Sequence, residues 1–263
     1  MLFHLFFVFG FLFPCRAHAF LHSENTFQTA TDSTYADSLA RAAEAKFSTS
    51  PRTHENVKAA FDLMTQAFAS SEDQNRRYHY LSRTAWFAIW QSYHGRDKRE
   101  ITDFASRGIA LAKKAIKLNS ERVEGYYYRA IATGLFAEQH QVQSKDAMKH
   151  IRSDAVKAIK IDPTLDHGGP HRLLGALYLR APGPPAGIGS RRRALTHLNK
   201  AVALSPDYPE NMLFLAEAYQ RIGQHSQARD LLERVLASEK PGGDLMDRKR
   251  FRRRAEEMRE KLK

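Results

Sequence analysis

The sequence predicts an all-α chain in which helical hairpins stack into a solenoid, closed by a capping helix at the C-terminal end. Three observations lead to this fold class. Apolar residues recur with the period of an amphipathic helix over most of the chain, Pro- and Gly-containing breaks separate the helices, and small and aromatic residues return at fixed offsets. The length of 263 residues suits one large domain or a repeat array.

The clearest hairpin lies between two breaks, Asp162-Pro163 and Ser205-Pro206. A residue that precedes proline disfavours helical backbone, so such pairs end one helix before the next begins. The first helix carries Gly175, and the second carries Leu198 and Ala201 on one face. Because Gly175 and Ala201 are small, we expect the two backbones to approach closely there.

The pattern of the second helix returns along the chain. It recurs 34 residues later and 43 residues earlier, and once more after another 43 residues towards the N-terminus. The equivalent sets are Ala194, Leu198 and Ala201; Ala228, Leu232 and Val235; Ile151, Ala155 and Ala158; and Gly108, Ala112 and Ala115. A 34-residue spacing with small, aromatic and proline positions is typical of tetratricopeptide repeats, in which each hairpin packs on the next.

The elements follow in order from this repeat. Residues 20–34 are polar and predicted to be irregular, and the helical repeat domain is predicted to span 35–263. The predicted helical segments are 39–47 with 57–68, 71–95 with 101–118, 124–137 with 146–161, the hairpin between the two breaks, and the hairpin of Tyr219 and Ala228. A capping helix is predicted over 244–263, with Phe251, Ala255, Met258 and Leu262 as its packing stripe.

Residues 1–19 have the features of a secretory signal peptide. The apolar run 2–14 is short for a membrane span, and Ala17-His18-Ala19 has the small-x-small form of a cleavage site. The alternative is a lipoprotein signal acylated at Cys15, but Pro14 directly before the cysteine fits that pattern poorly. We therefore expect cleavage after Ala19. Cys15 is the only cysteine, so disulfides have no part in the mature chain.

Two groups of aromatic residues could pack or bind. Trp86 and Trp90 lie on a helix that is apolar nearly all round, which favours central burial over a ligand platform. Among the three consecutive tyrosines, the repeat alignment gives Tyr126 the packing position. Tyr127 is therefore expected to face the concave surface or solvent.

Residues 160–238 carry a resemblance to a known family. The matching residues are Asp162-Pro163, Gly168-Gly169, Arg172, Leu174-Gly175, Tyr178, Ala181-Pro182, Pro184, Gly189, Pro206 to Pro209, and Leu215 to Glu217. This segment resembles the T-component family of tripartite ATP-independent periplasmic (TRAP) transporters, and the likeness is fainter from Arg83 onwards. Gly183 stands where the family commonly has Trp. The resemblance implies a periplasmic helical-repeat partner of a substrate-binding subunit.

The residues themselves give no indication of an enzyme. HExxH, GxSxG, Walker and CxxC motifs do not occur in the sequence. His150, His167 and His171 have no clustered carboxylate or thiolate to complete a metal site. We expect neither a catalytic site nor a bound metal or cofactor.

The chain is basic, with a formal net charge of +12. Nine basic and four acidic residues lie between Asp247 and Lys263. A solvated capping face is the first interpretation of this stretch, and an acidic partner or membrane surface is the second. The predicted export argues against nucleic acid as a partner.

These observations lead to one candidate binding surface and three functions. The loop 181–189 is stiffened by proline and is longer than a hairpin requires, so we expect it to border a groove. The candidate binding residues are Tyr127, His171, Arg172, Pro182 and Pro184, with Trp86 and Trp90 as the alternative platform. The first function is a periplasmic adaptor that docks a substrate-binding protein or passes it a small ligand. An envelope scaffold and an anionic-lipid-binding protein are the alternatives, and self-association is left open.

Overall fold

In a computed structural model, residues 27–140, 145–238 and 245–262 are described, with side chains from residue 34 and, in the last segment, from residue 249. These residues form eleven helices and no strand. The helices are α1 Phe27–Phe47, α2 His54–Ala69, α3 Gln74–Tyr93, α4 Lys98–Leu118, α5 Val123–Gln139, α6 Lys145–Ile161, α7 Leu165–Arg180, α8 Arg191–Leu204, α9 Pro209–Arg221, α10 His225–Ala237 and α11 Leu245–Glu260.

Successive helices pair into five hairpins, from α1 with α2 to α9 with α10, and α11 packs on the last pair. The first helices of neighbouring hairpins also contact one another, α3 with α5, α5 with α7 and α7 with α9. The first helices therefore form the inner layer of a solenoid, and the second helices form the outer layer. The predicted all-α hairpin solenoid is confirmed.

Polar residues start several of the helices. The side chains of Thr53, Asp73, Asp97 and Ser190 each accept a hydrogen bond from the backbone N–H three residues further on. Each of these bonds satisfies a donor that the first helical turn leaves free.

The N-terminal expectation needs one correction. Helix α1 begins at Phe27, so the irregular backbone expected for residues 20–34 is wrong from Phe27 onwards. The rest of that segment and the predicted signal peptide, residues 1–19, lie outside the described residues.

Small residues bring α7 and α8 together as expected. A Cβ atom added to Gly175 would lie 2.6 Å from Leu198 Cγ, and one added to Gly168 would lie 3.2 Å from Ala201 Cα. Ala201 is fully buried. Because any larger side chain at Gly175 meets the facing helix, the predicted close approach is confirmed.

Helix α11 packs as a cap on the fifth hairpin and also contacts α3. Its stripe of Phe251, Ala255, Met258 and Leu262 is buried, as the spacing predicts. The guanidinium of Arg250 lies 4.8 Å from the ring centroid of Tyr93 at the end of α3. The C-terminal helix is therefore in contact with the second hairpin as well as the fifth. Across the described residues, no helix has the length and hydropathy of a membrane span.

Candidate functional site

Trp86 and Trp90 belong to the core. Each exposes only about one twentieth of its surface, 5% and 6%. The ring of Trp86 lies 5.7 Å from that of Tyr128, and Trp90 stacks on His94 at 4.0 Å between ring centroids. These contacts support the packing interpretation, because the two rings leave almost no surface for a ligand.

Tyr127 does not face a groove. Its side chain is fully buried, while its neighbour Tyr126 is partly exposed, which reverses the expected orientations. The hydroxyl group of Tyr127 donates a hydrogen bond to Asp166 Oδ2 at 2.5 Å. Successive helical residues point about 100° apart, so only one of the two tyrosines can reach the next hairpin. A polar partner on α7, which the repeat alignment does not show, determines which one it is.

Arg172 is also fully buried, so its expected place at the border of a groove is wrong. Its guanidinium contacts Asp166, donates from Nη1 to Asn211 Oδ1 at 2.8 Å, and lies 3.3 Å from Glu210 Oε2 through Nε. Tyr127 lies on α5, Asp166 and Arg172 on α7, and Glu210 on α9. The cluster therefore joins three successive hairpins in the core.

A backbone kink positions the carboxylate of this cluster. Asp166 and His167 have φ values of 52° and 57°, and Gly168 has a φ of 82°, all in the left-handed region. For residues with a Cβ atom this conformation costs energy, roughly 1–2 kcal/mol each. Burial raises the pKa of Asp166 well above its usual value, and the charge of Arg172 opposes that rise. The local strain thus turns the carboxylate into the core, where it meets Arg172.

A second ion cluster, which the sequence analysis did not anticipate, centres on Glu217 of α9. Its carboxylate accepts hydrogen bonds from Arg180 Nη2 at 2.5 Å, Arg254 Nη2 at 3.0 Å and Arg221 Nη2 at 3.0 Å. Burial alone would raise the pKa of Glu217, but the three guanidinium groups outweigh it and lower the pKa to about 2. This cluster attaches α11 to the inner layer. The sequence signals at Glu217 are its place inside the apolar stretch Leu213–Ala218 and its place in the segment that resembles the transporter family.

The proline-rich loop is ordered, and its tip is exposed. Gly189 N–H donates to the carbonyl of Pro182 at 2.7 Å, and Gly187 N–H donates to the carbonyl of Gly183 at 3.0 Å. Residues 183–186 are all exposed, so Pro184 is exposed, while Pro182 is partly buried. Of the expected binding surface, this loop and the partly buried His171 remain accessible. Tyr127 and Arg172 lie in the core and do not line it.

His171 points away from the buried cluster, towards α8. Its Nδ1 lies 3.0 Å from Nδ1 of His197, and both rings are partly buried. Burial, then His197 and Lys200, lower the pKa of His171 to about 4. The other two histidines are apart from this pair, since His150 is exposed on α6 and His167 stacks on Tyr208 at 4.3 Å. In the described ranges, no group of three or more His, Cys, Asp and Glu side chains comes together to hold a metal.

Comparisons with known proteins agree with the repeat pattern. Residues 189–242 match the family model of the tetratricopeptide repeat. The chain is similar to the crystal structure of TTC0263, a thermophilic TPR protein of Thermus thermophilus, with 19% identity and a TM-score of 0.59. That likeness covers 83% of this chain and 98% of the other. The fold is a tetratricopeptide-type solenoid.

Two further solved structures show weaker similarity. A point mutant of MamA is 17% identical with a TM-score of 0.45, covering 79% of this chain and 96% of that one. Yeast Tom70 is 17% identical with a TM-score of 0.36, covering 89% of this chain and 55% of its own. Among curated proteins, none matches the sequence. The comparisons support the repeat part of the resemblance and give no support to the transporter part.

Proposed function

We propose that this protein is a helical-repeat scaffold that binds another protein through the loop tip 183–186. The observation that carries this proposal is the geometry of the loop. Four consecutive exposed residues, two of them prolines, project from a connection whose base is closed by backbone hydrogen bonds. A loop that is already ordered loses little conformational entropy when a partner binds, so it is well suited to recognition.

The partner proposed is a periplasmic substrate-binding protein of a TRAP-type uptake system. The resemblance over residues 160–238 supports this choice, and the apolar run with Ala17-His18-Ala19 supports export. The solenoid fold supports a binding role and not a catalytic one, since stacked repeats form extended surfaces for contact with other molecules.

The test is a calorimetric titration with a TRAP-type substrate-binding protein from the genome that encodes this chain. We expect wild type to bind, and a variant with 183–186 replaced by a Gly-Ser turn to bind about tenfold or more weakly, since truncation of a docking element costs on the order of 2 kcal/mol. Pro206→Gly, in the exposed connection between α8 and α9, is the matched control and should bind as wild type. Arg172→Ala is unsuitable as a binding test, because the residue is buried and its loss would also affect the stability of the fold.

The outcome that contradicts the proposal is equally specific. If the shortened loop melts as wild type does and binds with unchanged affinity, then the loop tip is not the docking surface. If wild type shows no binding, the choice of partner is wrong.

A further inference from the structure

A cluster of basic side chains from α6 and α8 surrounds Tyr178 of α7. Arg152 of α6 donates from Nε to the Tyr178 hydroxyl oxygen at 3.0 Å. The guanidinium of Arg193, in the first turn of α8, lies 5.6 Å from the centroid of the same ring. The His197 ring lies 5.7 Å from it and contacts His171. The buried ring of Tyr178 therefore contacts cationic groups from two helices, α6 and α8, and a pair of histidines.

The positive charge of this cluster is not neutralised. Arg152, Arg193 and Lys200 are exposed, and none of them forms an ion pair with an acidic side chain in the part of the chain that the structure describes. Helix α8 contains no Asp or Glu, and the two acids of α6 are engaged elsewhere on their own partners. Asp146 pairs with Lys149 at 3.5 Å, and Asp154 pairs with Arg129 at 2.6 Å.

The sequence of α8 independently favours anion binding. Arg191, Arg192 and Arg193 occupy its first turn, where the helix dipole favours negative charge. Three basic residues at a helix N-terminus oppose this preference for negative charge. A bound anion would stabilise the arrangement.

The two histidines give the cluster hydrogen-bond donors whose protonation would change when an anion binds. The two Nδ1 atoms are 3.0 Å apart, so one proton lies between them and one ring accepts while the other donates. Burial, then His197 and Lys200, lower the pKa of His171 to about 4, and burial lowers the pKa of His197 as well. A negative ligand beside the pair would raise both pKa values and draw a further proton onto the rings.

We propose that the face formed by Arg152, Arg193 and Lys200, with the pair His171 and His197, binds a phosphate group. Guanidinium groups match a phosphate in charge and in bidentate geometry, and a lysine adds a point charge. The ligand is either a soluble phosphate compound or the phosphate headgroup of a lipid. This site does not depend on the loop tip 183–186 or on a protein partner.

Isothermal titration calorimetry with inorganic phosphate, at constant ionic strength, measures the site directly. Wild type is expected to bind saturably, and Arg152→Gln and Arg193→Gln are each expected to weaken binding about tenfold, the usual effect of one lost charge-assisted hydrogen bond. Arg99→Gln is the matched control, since Arg99 is an exposed arginine in the first turn of α4, where Asp103 lies 4.0 Å away. It should bind phosphate as wild type does.

The pH dependence tests the role of the histidines. Because phosphate itself gains a proton between about pH 8 and 6, the wild-type pH profile is compared with that of His171→Gln, and titrations in buffers of different ionisation enthalpy should show more proton uptake by wild type. Lys200 of α8 is the lysine whose charge acts on His171 of the pair. His171→Gln should bind more weakly and take up fewer protons than wild type.

A second measurement assigns the source of the phosphate. Co-sedimentation with phosphatidylcholine vesicles, with and without phosphatidic acid, supports a lipid headgroup if binding needs phosphatidic acid and is lost in Arg193→Gln. Binding of free phosphate without vesicle binding supports a soluble compound. The proposal is overturned if wild type binds neither probe, or if Arg99→Gln weakens binding as much as Arg193→Gln does.

Discussion

Tyr127 and Asp166 lie 39 residues apart and meet through a 2.5 Å hydrogen bond in the core. The tyrosine comes from α5, and the aspartate comes from the kinked start of α7. Arg172 contacts the same carboxylate, so the third and fourth hairpins are joined by a buried polar network in addition to apolar contacts. In such a network every member needs its partners, because an unpaired buried polar group is costly.

Removal of the Tyr127 hydroxyl group should destabilise the fold. Tyr127→Phe leaves Asp166 without one of its donors, and we expect the free energy of unfolding to fall by about 1–3 kcal/mol. Tyr126→Phe is the control on the adjacent, partly exposed residue and should stay within about 0.5 kcal/mol of wild type. Urea unfolding followed by circular dichroism measures both. If both variants lose the same free energy of unfolding, the hydrogen bond between Tyr127 and Asp166 does not stabilise the fold.

The crossing of α7 and α8 should tolerate no added methyl group. Gly175→Ala places a Cβ atom 2.6 Å from Leu198 Cγ, so overpacking should cost about 1–3 kcal/mol, and Gly175→Leu should cost more. Gly183→Ala has no atom within 4 Å of its new Cβ and should be within about 0.5 kcal/mol of wild type. Thermal melts compare the two alanine variants. A Gly175→Ala melt that matches wild type would contradict the packing.

Glu217 should be one of the most sensitive charged positions. Glu217→Gln removes the only carboxylate that, among the described residues, accepts hydrogen bonds from Arg180, Arg221 and Arg254 together. Loss of one partner from a buried ion pair costs about 3–5 kcal/mol. Glu257→Gln on α11, where the carboxylate is 61% exposed and 3.7 Å from Arg253, is the control and should cost less than about 1 kcal/mol. Denaturant titrations measure the free energy of unfolding of both variants. Equal values would show that the cluster around Glu217 does not stabilise the fold.

Acid should destabilise the protein through His94. Burial lowers the pKa of His94 to about 4, although its Nδ1 contacts the carbonyl of Trp90 at 2.9 Å. An unfolded histidine titrates near about pH 6.5, so below that pH the unfolded chain binds a proton that the folded chain does not. Stability should therefore fall by about 1–3 kcal/mol between roughly pH 6.5 and 4.

The matched variants separate this residue from the other histidines. Unfolding curves of His94→Gln should depend less on pH across that range than those of wild type. His150→Gln, at an exposed position on α6, should follow wild type. An unchanged pH dependence in His94→Gln would contradict the assignment.

Export with cleavage after Ala19 remains a prediction from the sequence pattern. Intact-mass measurement of the protein from the cell envelope should give a chain that starts at Phe20. A diacylated species that starts at Cys15 would show that the lipoprotein alternative is correct. A full-length chain in the cytosol would contradict export.

The sequence by itself determined the hairpins, the capping stripe and the close approach at Gly175. These features are local or periodic. Helical periodicity, proline breaks and small residues are signals contained within a few helical turns. Because the chain is a repeat, each signal recurs from one hairpin to the next. The helix from Phe27 to Thr34 was missed because its polar residues show no apolar period.

Tertiary structure alone decided which polar residues are buried and with whom. Tyr127 and Arg172 were expected at a surface, yet the left-handed backbone of Asp166 and His167 turns a carboxylate towards them. Neither this kink nor the meeting of α11 with Glu217 has a periodic signal. Each depends on contacts between residues 37 to 45 positions apart, and helical spacing describes only neighbours within about one turn.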